Sequence, residues 1–254
     1  MRVRHSIKCC LFALLCLLGS SQLAACGTSN TGSSQDTGIP PGQASLAGSP
    51  PLTLRDPSPS QLTVFVAVQI GGYDAVTRDK TTIDLLFSSK GRAVQFAGSE
   101  QLVCNGKALP LHSRPEDSQI AGPTSALEGQ TFHCTYSAGH TSATLTFTVP
   151  HTPTISVPRD QARLPHSKNT LVVYNTQGGT LMGIVALGSG AKAIAHLATP
   201  GAGRATVDTS SFPTGAGSIT LTETFTIPVT QTGTPFVSLG ARGDVLVSID
   251  VTWI

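Results

Sequence analysis

A strict alternation of apolar and polar residues begins at Gln61 and constrains the fold more than any other feature of this sequence. In the first run, every second residue from Leu62 to Ile70 is aliphatic. Successive side chains of a β-strand point to opposite faces, so a period of two predicts strands with one buried face. The same alternation returns in short runs as far as Trp253, and no stretch carries a convincing helical repeat. We therefore predict an all-β fold.

Prolines divide these strand runs into two series. Pro150, Pro153, Pro158 and Pro165 interrupt the alternation, and further strand runs follow them. Many short strands separated by turn signals every ~10 residues are typical of β-sandwiches. We predict two tandem sandwich domains, at residues 61–150 and 151–254. The dipeptide Asn105-Gly106 also predicts a hairpin turn in the first domain.

The six cysteines differ in their positions. Cys9, Cys10 and Cys16 lie in the N-terminal segment that is predicted to be removed, and Cys26 follows it. Cys104 and Cys134 are the pair left in the strand-rich region, and in an exported chain such a pair predicts one disulfide. Two buried thiols or a metal-binding pair are the alternatives, although no His/Cys cluster with zinc spacing surrounds them.

The first residues have the organisation of an export signal. Arg2, Arg4 and Lys8 form a basic segment, and the apolar run of residues 11–18 follows it. A bilayer span needs about 20 apolar residues, so this run is too short for a permanent anchor. It is predicted to be a cleaved signal.

The residues that end this signal closely resemble the lipobox of bacterial lipoproteins: Leu23-Ala24-Ala25-Cys26. The resemblance implies that diacylglycerol is attached to the Cys26 thiol and that residues 1–25 are removed. Two or three acyl chains, such as palmitate, anchor a protein stably. We therefore expect an extracytoplasmic protein anchored to the cell membrane, or to the outer membrane if the host has two membranes. An ordinary signal peptide that leaves Cys26 free is the alternative.

The residues that follow Cys26 are predicted to be a tether. Residues 26–60 are dominated by Gly, Ser, Thr, Pro and Gln and show no apolar periodicity. Such a segment cannot bury enough surface to fold, and a flexible chain of this length reaches roughly 30 Å. The tether would hold the sandwich domains clear of the lipid surface.

One strand pair resembles immunoglobulin-like domains. Phe132-His133-Cys134-Thr135-Tyr136, followed by a strand from Thr144 to Val149, resembles the F and G strands of that fold. The sequence departs from the pattern at Phe132, where a corner tyrosine is usual, and Cys104 lies too near for the usual bridge. The resemblance implies immunoglobulin-like sandwiches with a local disulfide. With its lipobox and its predicted sandwiches, the chain resembles uncharacterised bacterial surface lipoproteins. This resemblance implies no activity.

Two short motifs match functional patterns. Ser189-Gly190-Ala191-Lys192 matches the S-x-x-K nucleophile motif, but it lies in a Gly-rich turn and no K-T-G triplet follows it. Arg242-Gly243-Asp244 matches an integrin-recognition tripeptide, and Gly-Asp is also ordinary turn material, so we predict a hairpin turn there. We predict no catalytic residue.

Histidines and aromatic residues are the remaining candidates for a site. No histidine pair has the spacing of a helical metal motif, so a metal site would require convergence in the tertiary structure. We therefore predict neither a metal nor a cofactor. Tyr73 follows two glycines and is the most plausible exposed aromatic residue, whereas Tyr136, Tyr174 and Trp253 are assigned to the core. Six histidines remain after processing: His112, His133, His140, His151, His166 and His196.

Charge narrows the function classes. The mature chain would carry thirteen basic and fourteen acidic residues. This balance offers no long-range attraction to nucleic acid. We expect a non-catalytic surface module that binds a cell-wall polymer, a glycan or an envelope protein, or that has a structural role. The alternative is an envelope hydrolase with a site of loop histidines and acids at the interface of the two domains.

Overall fold

The computed structural model describes residues 50–72, 77–111, 118–167, 169–188, 195–198 and 203–254, with the backbone alone for 195–198. These residues belong to one compact unit, Ile39–Ile254. The predicted signal peptide, Cys26 and residues 27–49 of the predicted tether lie outside the described residues.

Strands dominate the described residues, which confirms the predicted all-β class. A 3-10 turn covers Pro59–Gln61, and one short helix, α1, covers Thr124–Leu127. The strands are β1 (Leu52–Leu54), β2 (Thr63–Ile70), β3 (Lys80–Ser89), β4 (Arg92–Phe96), β5 (Gln101–Cys104), β6 (Lys107–Leu109), β7 (Gln119–Pro123), β8 (Thr131–Ala138), β9 (Thr141–Thr148), β10 (Thr154–Val157), β11 (Ala162–Leu164), β12 (Thr170–Asn175), β13 (Thr180–Leu187), β14 (Ala195–Ala198), β15 (Arg204–Val207), β16 (Gly215–Thr226), β17 (Val229–Gly233) and β18 (Ser238–Trp253).

The described strands form three sheets in a sandwich-like arrangement. The large sheet has the order β1-β4-β3-β2-β18-β16-β13-β14, with β7 beside β3 and β11 beside β18. A five-stranded sheet has the order β17-β9-β8-β5-β6, and a three-stranded sheet has the order β10-β12-β15. The last strand, β18, lies centrally in the large sheet, parallel to β2 and antiparallel to β16.

Two hydrophobic cores fill the space between these sheets. The first contains the alternate residues from Leu62 to Ile70, as predicted, together with inward residues of β3, β8 and β9. The second packs β12, β13 and β15 against β16 and the end of β18, including Trp253. Phe225 and Phe236 belong to the first core, so its packing crosses the predicted boundary at residue 150. The division into two domains stays a prediction.

The chain is already ordered before Gln61. Residues 50–61, which we call the N-terminal strap, contain β1, and β1 pairs in parallel with β4. The guanidinium group of Arg92 donates a hydrogen bond to the carbonyl of Pro50 at 2.6 Å. Residues 50–60 of the strap were assigned to the tether by their composition, yet β1 lies within them and pairs with β4.

The two predicted turns have different outcomes. Asn105 and Gly106 have φ angles of 46° and 80°, and they connect β5 to β6, which confirms the predicted hairpin. The turn predicted at Arg242-Gly243-Asp244 is wrong, because these residues lie inside β18. Gly243 pairs with Phe225 on one side and with Val68 on the other. Pairing along both edges outweighs the local turn preference of Gly-Asp.

Candidate binding surface

The disulfide is the predicted feature that the structure places most directly. Cys104 and Cys134 are bonded, with a sulfur–sulfur distance of 2.07 Å. They are register partners on β5 and β8, so the disulfide joins neighbouring strands within the five-stranded sheet. Immunoglobulin-like identity stays a prediction for this sandwich. The disulfide covalently links two strands of the sheet.

The described histidines are dispersed. His133 is exposed on β8, and His151 lies beside Glu128 with 3.3 Å between Nδ1 and Oε1. His166 approaches Thr214 with 3.4 Å between Nε2 and Oγ1. Among the described residues, no group of three or more His, Cys, Asp or Glu side chains converges as metal ligands. His112, the side chain of His196 and the S-x-x-K motif lie outside the described part.

The three aromatic residues that were assigned to the core are buried, as predicted. Tyr136 and Trp253 are fully buried, and Tyr174 is 5% exposed. The indole Nε1 of Trp253 donates to the carbonyl of Leu187 at 3.0 Å. Core packing therefore accounts for these three rings, while Tyr73 lies outside the described residues.

Two buried carboxylates hold loops. Glu223 is fully buried on β16, and its Oε1 accepts a hydrogen bond from the backbone N–H of Gly179 at 2.6 Å. Glu100 accepts hydrogen bonds from the backbone N–H groups of Gly98, at 2.8 Å, and of Asp56. A buried carboxylate needs such donors to offset the loss of hydration. Their contacts give both acids a structural role.

The outer surface of the five-stranded sheet is covered with hydroxyl groups. On β8 and β9, residues such as Tyr136 and Leu145 point into the core, so the alternate residues point outward. We call the outward residues of this sheet the hydroxyl face. Its members are Gln101, Val103, Ala108, Thr131, His133, Thr135, Ser137, Ser142, Thr144, Thr146, Thr148, Thr230 and Thr232.

Side chains bridge β8 and β9 at three consecutive outward pairs of the hydroxyl face. The hydroxyls of Thr131 and Thr148 lie 2.9 Å apart. Nδ1 of His133 lies 3.0 Å from Oγ1 of Thr146. The next outward pair, Thr135 and Thr144, is bridged at 2.9 Å. Outward residues on one strand repeat every ~6.8 Å, and neighbouring strands lie ~4.8 Å apart. The side chains of these three pairs are therefore held in a regular array.

The hydroxyl face carries no Asp, Glu, Lys or Arg side chain. The outward face of the large sheet differs, because it carries ion pairs. Arg242 bonds to Asp244 at 2.9 Å, and Arg78 bonds to Asp250 at 2.8 Å. Charge is therefore distributed unevenly between the two outer faces.

Sequence reasoning missed the hydroxyl face, although part of its signal was present. Thr144, Thr146 and Thr148 alternate with the core residues of β9. That alternation was interpreted for its apolar members alone. The placement of Thr230 and Thr232 beside β9 depends on the pairing of β17, a strand roughly 85 residues further along the chain.

Comparison with models of known protein families gives no match, and neither does comparison with curated protein sequences. The helices of the described residues lack the length and apolar character that a bilayer span requires.

Proposed function

We propose that this protein is an extracytoplasmic lipoprotein, anchored through Cys26, whose β-sheet part binds a ligand without catalysing a reaction. The observation that carries the proposal is the hydroxyl face: a row of exposed and half-buried Ser and Thr hydroxyls on β8, β9 and β17, without an Asp, Glu, Lys or Arg side chain among them. Three of its outward pairs on β8 and β9 are held by cross-strand bonds, as between Thr135 and Thr144. Side chains that are already ordered lose less conformational entropy when a ligand binds.

The N-terminal sequence supports the anchored location. A basic segment, a short apolar run and Leu23-Ala24-Ala25-Cys26 occur in the order that lipoprotein signals require. The Gly/Ser/Pro-rich residues that follow Cys26 would separate the sheet from the lipid. A ligand in the envelope would then reach the hydroxyl face.

Anchoring is tested by a Cys26→Ala variant in the native host. Lipid on the Cys26 thiol predicts that wild type stays in the membrane fraction after an alkaline wash and that the variant is lost from it. A Cys16→Ala variant is the matched control, because Cys16 lies in the part that would be removed, and it is expected to stay. Retention of the Cys26→Ala variant would contradict the anchor.

Binding is tested with the exported chain from Gly27 to Ile254, produced under oxidising conditions so that Cys104 and Cys134 stay bonded. It is incubated with purified cell wall and, separately, with envelope proteins of the host. Saturable binding to one fraction is the expected result. Absence of binding to both fractions would contradict the proposed function.

A further inference from the structure

We infer that the hydroxyl face binds an uncharged polysaccharide chain in an extended form. The inference rests on the proposed function and names the class of its ligand. Three properties of the face carry it: its hydrogen-bonding chemistry, its lack of charge, and its shape.

The hydrogen-bonding chemistry of the face matches that of a sugar. A hydroxyl group donates one hydrogen bond and accepts two. When Thr131 and Thr148 bridge each other, one hydroxyl donates to the other, and the second O–H remains for an external acceptor. Thr135 and Thr144 offer the same arrangement at the pair two residues away. Each bridged pair therefore presents a donor and acceptors at a fixed position, as the vicinal hydroxyls of a sugar do.

His133 places an imidazole ring in the middle of the three bridged pairs on β8 and β9. It lies between the two bridged threonine pairs on β8, and its Nδ1 is bonded to Thr146. This bond leaves Nε2 of the exposed imidazole for a ligand. A planar ring also offers a surface for the C–H groups of a sugar. The three bridged pairs thus offer hydroxyl groups on both sides of an imidazole ring.

The charge of the face selects among polymers. An anionic polymer would gain no attraction from a surface that lacks Lys and Arg, whereas basic side chains dominate the recognition of phosphate and carboxylate groups. An uncharged chain has no ionised groups, so its binding carries no cost for removing water from them. The face therefore favours a neutral polymer over an acidic one.

The shape of the face selects an extended chain. The hydroxyls of the face lie on three neighbouring strands of one sheet, β17, β9 and β8. A chain that lies along β8 and β9 contacts repeated hydroxyls at the ~6.8 Å repeat of outward residues. A single small sugar would contact one or two of the bridged pairs and would gain correspondingly less binding free energy.

The experiment measures binding of cellohexaose and chitohexaose to the exported chain from Gly27 to Ile254 by isothermal titration calorimetry. An oligogalacturonate of the same length is the acidic comparison. Wild type is expected to bind at least one of the two neutral oligosaccharides, with an affinity that is unchanged at high salt because no ion pair is involved. Absence of binding to both neutral oligosaccharides would overturn the inference.

The site is tested with a Thr144→Val, Thr146→Val double variant. Valine keeps the β-branched shape and removes the hydroxyl, so the dissociation constant is expected to rise about tenfold. Thr82→Val is the matched control, because Thr82 lies on β3 of the large sheet, and it is expected to leave binding unchanged. Thermal unfolding of each variant checks that the fold is intact.

The remaining outcomes separate this inference from the proposed function. Wild-type affinity in the folded double variant would place the glycan elsewhere and overturn the inference, while the protein would remain a binding module. If oligogalacturonate bound in a salt-sensitive way and neither neutral oligosaccharide bound, the inference of an uncharged ligand would be overturned. Self-association through the face, seen as a concentration-dependent mass that the double variant abolishes, would overturn a polysaccharide ligand.

Discussion

The phenol hydroxyl of Tyr136 donates a hydrogen bond to the carbonyl oxygen of Pro57 at 2.8 Å, and this bond joins β8 to the N-terminal strap. A second connection lies beside it, since a carboxylate oxygen of Asp56 accepts a hydrogen bond from the backbone N–H of Ser99 at 2.7 Å. Leu54 of the strap packs against the first core. The strap is therefore part of the folded unit.

The first prediction concerns removal of the strap. A chain that begins at Leu62 is expected to be less stable than a chain that begins at Pro50, by about 3 to 5 kcal/mol, because it loses the apolar contacts of Leu54 and the bond to Tyr136. Urea unfolding followed by circular dichroism measures the difference. Equal midpoints would show that the strap contributes nothing to the fold.

The second prediction concerns alkaline pH. Burial, together with the charges of Glu100 and Asp56, raises the pKa of Tyr136 well above its ordinary value of 10.0. The folded protein therefore keeps the phenol proton at a pH where the unfolded chain releases it. Stability from this group is complete below pH 10 and is lost as pH rises beyond it.

A Tyr136→Phe variant tests this pH dependence. The variant is expected to lose about 1 kcal/mol at neutral pH, with the bond to Pro57, and to show a smaller further loss above pH 10 than wild type. Denaturant unfolding at a series of pH values provides the measurement. Parallel stability curves of wild type and Tyr136→Phe above pH 10 would contradict a role of the Tyr136 phenol in this pH dependence.

The third prediction concerns the disulfide. Reduction of the Cys104–Cys134 bond, which closes a loop with a sequence separation of 30 residues, is expected to lower the free energy of unfolding by about 3 to 4 kcal/mol. Urea unfolding with and without dithiothreitol measures this loss. A Cys104→Ser, Cys134→Ser variant is the control and should not respond to the reductant. An unchanged wild-type midpoint on reduction would contradict the prediction.

The fourth prediction concerns the ion pair of Arg78 and Asp250. The hydrogen bond from Arg78 lowers the pKa of Asp250 below its ordinary value of 3.8. The stability from this group is present above pH 3.8 and is lost as pH falls below it. Because the Asp250 side chain is 53% exposed, the pair is expected to contribute about 0.5 kcal/mol.

A double-mutant cycle with Arg78→Ala and Asp250→Asn measures that coupling. The coupling energy is expected at neutral pH and should disappear in acid, where Asp250 is protonated. A coupling energy that persists unchanged in acid would rule out the ion pair as its cause.

The fifth prediction concerns close packing at Gly217. A Cβ atom at Gly217 would lie 2.0 Å from Nε1 of Trp253, so Gly217→Ala is expected to destabilise the protein by about 2 to 3 kcal/mol. Gly122→Ala is the matched strand control, because its Cβ would meet the flexible side chain of Leu127 at 3.3 Å. Thermal unfolding compares the two variants. Equal effects would refute the contact with Trp253.

Local signals in the sequence determined the faces of individual strands. The alternation from Leu62 to Ile70 predicted which side chains are buried, because a strand places successive side chains on opposite faces wherever it lies. Asn105-Gly106 predicted its hairpin for a similar reason, since both residues accept positive φ angles. The pair of Cys104 and Cys134 likewise followed from the cysteine count of a chain that is predicted to be exported.

The tertiary structure alone decided which strands far apart in the chain are neighbours. β2 pairs with β18, more than 170 residues away, and this pairing carries Arg242-Gly243-Asp244 into the interior of a sheet. The strap gained its structure in the same way, from β4 and Tyr136 rather than from its own composition. The period of two assigns a face to a residue but carries no information about the strand beside it. The hydroxyl face, which brings Thr230 next to Thr146, therefore exists only once the sheet has formed.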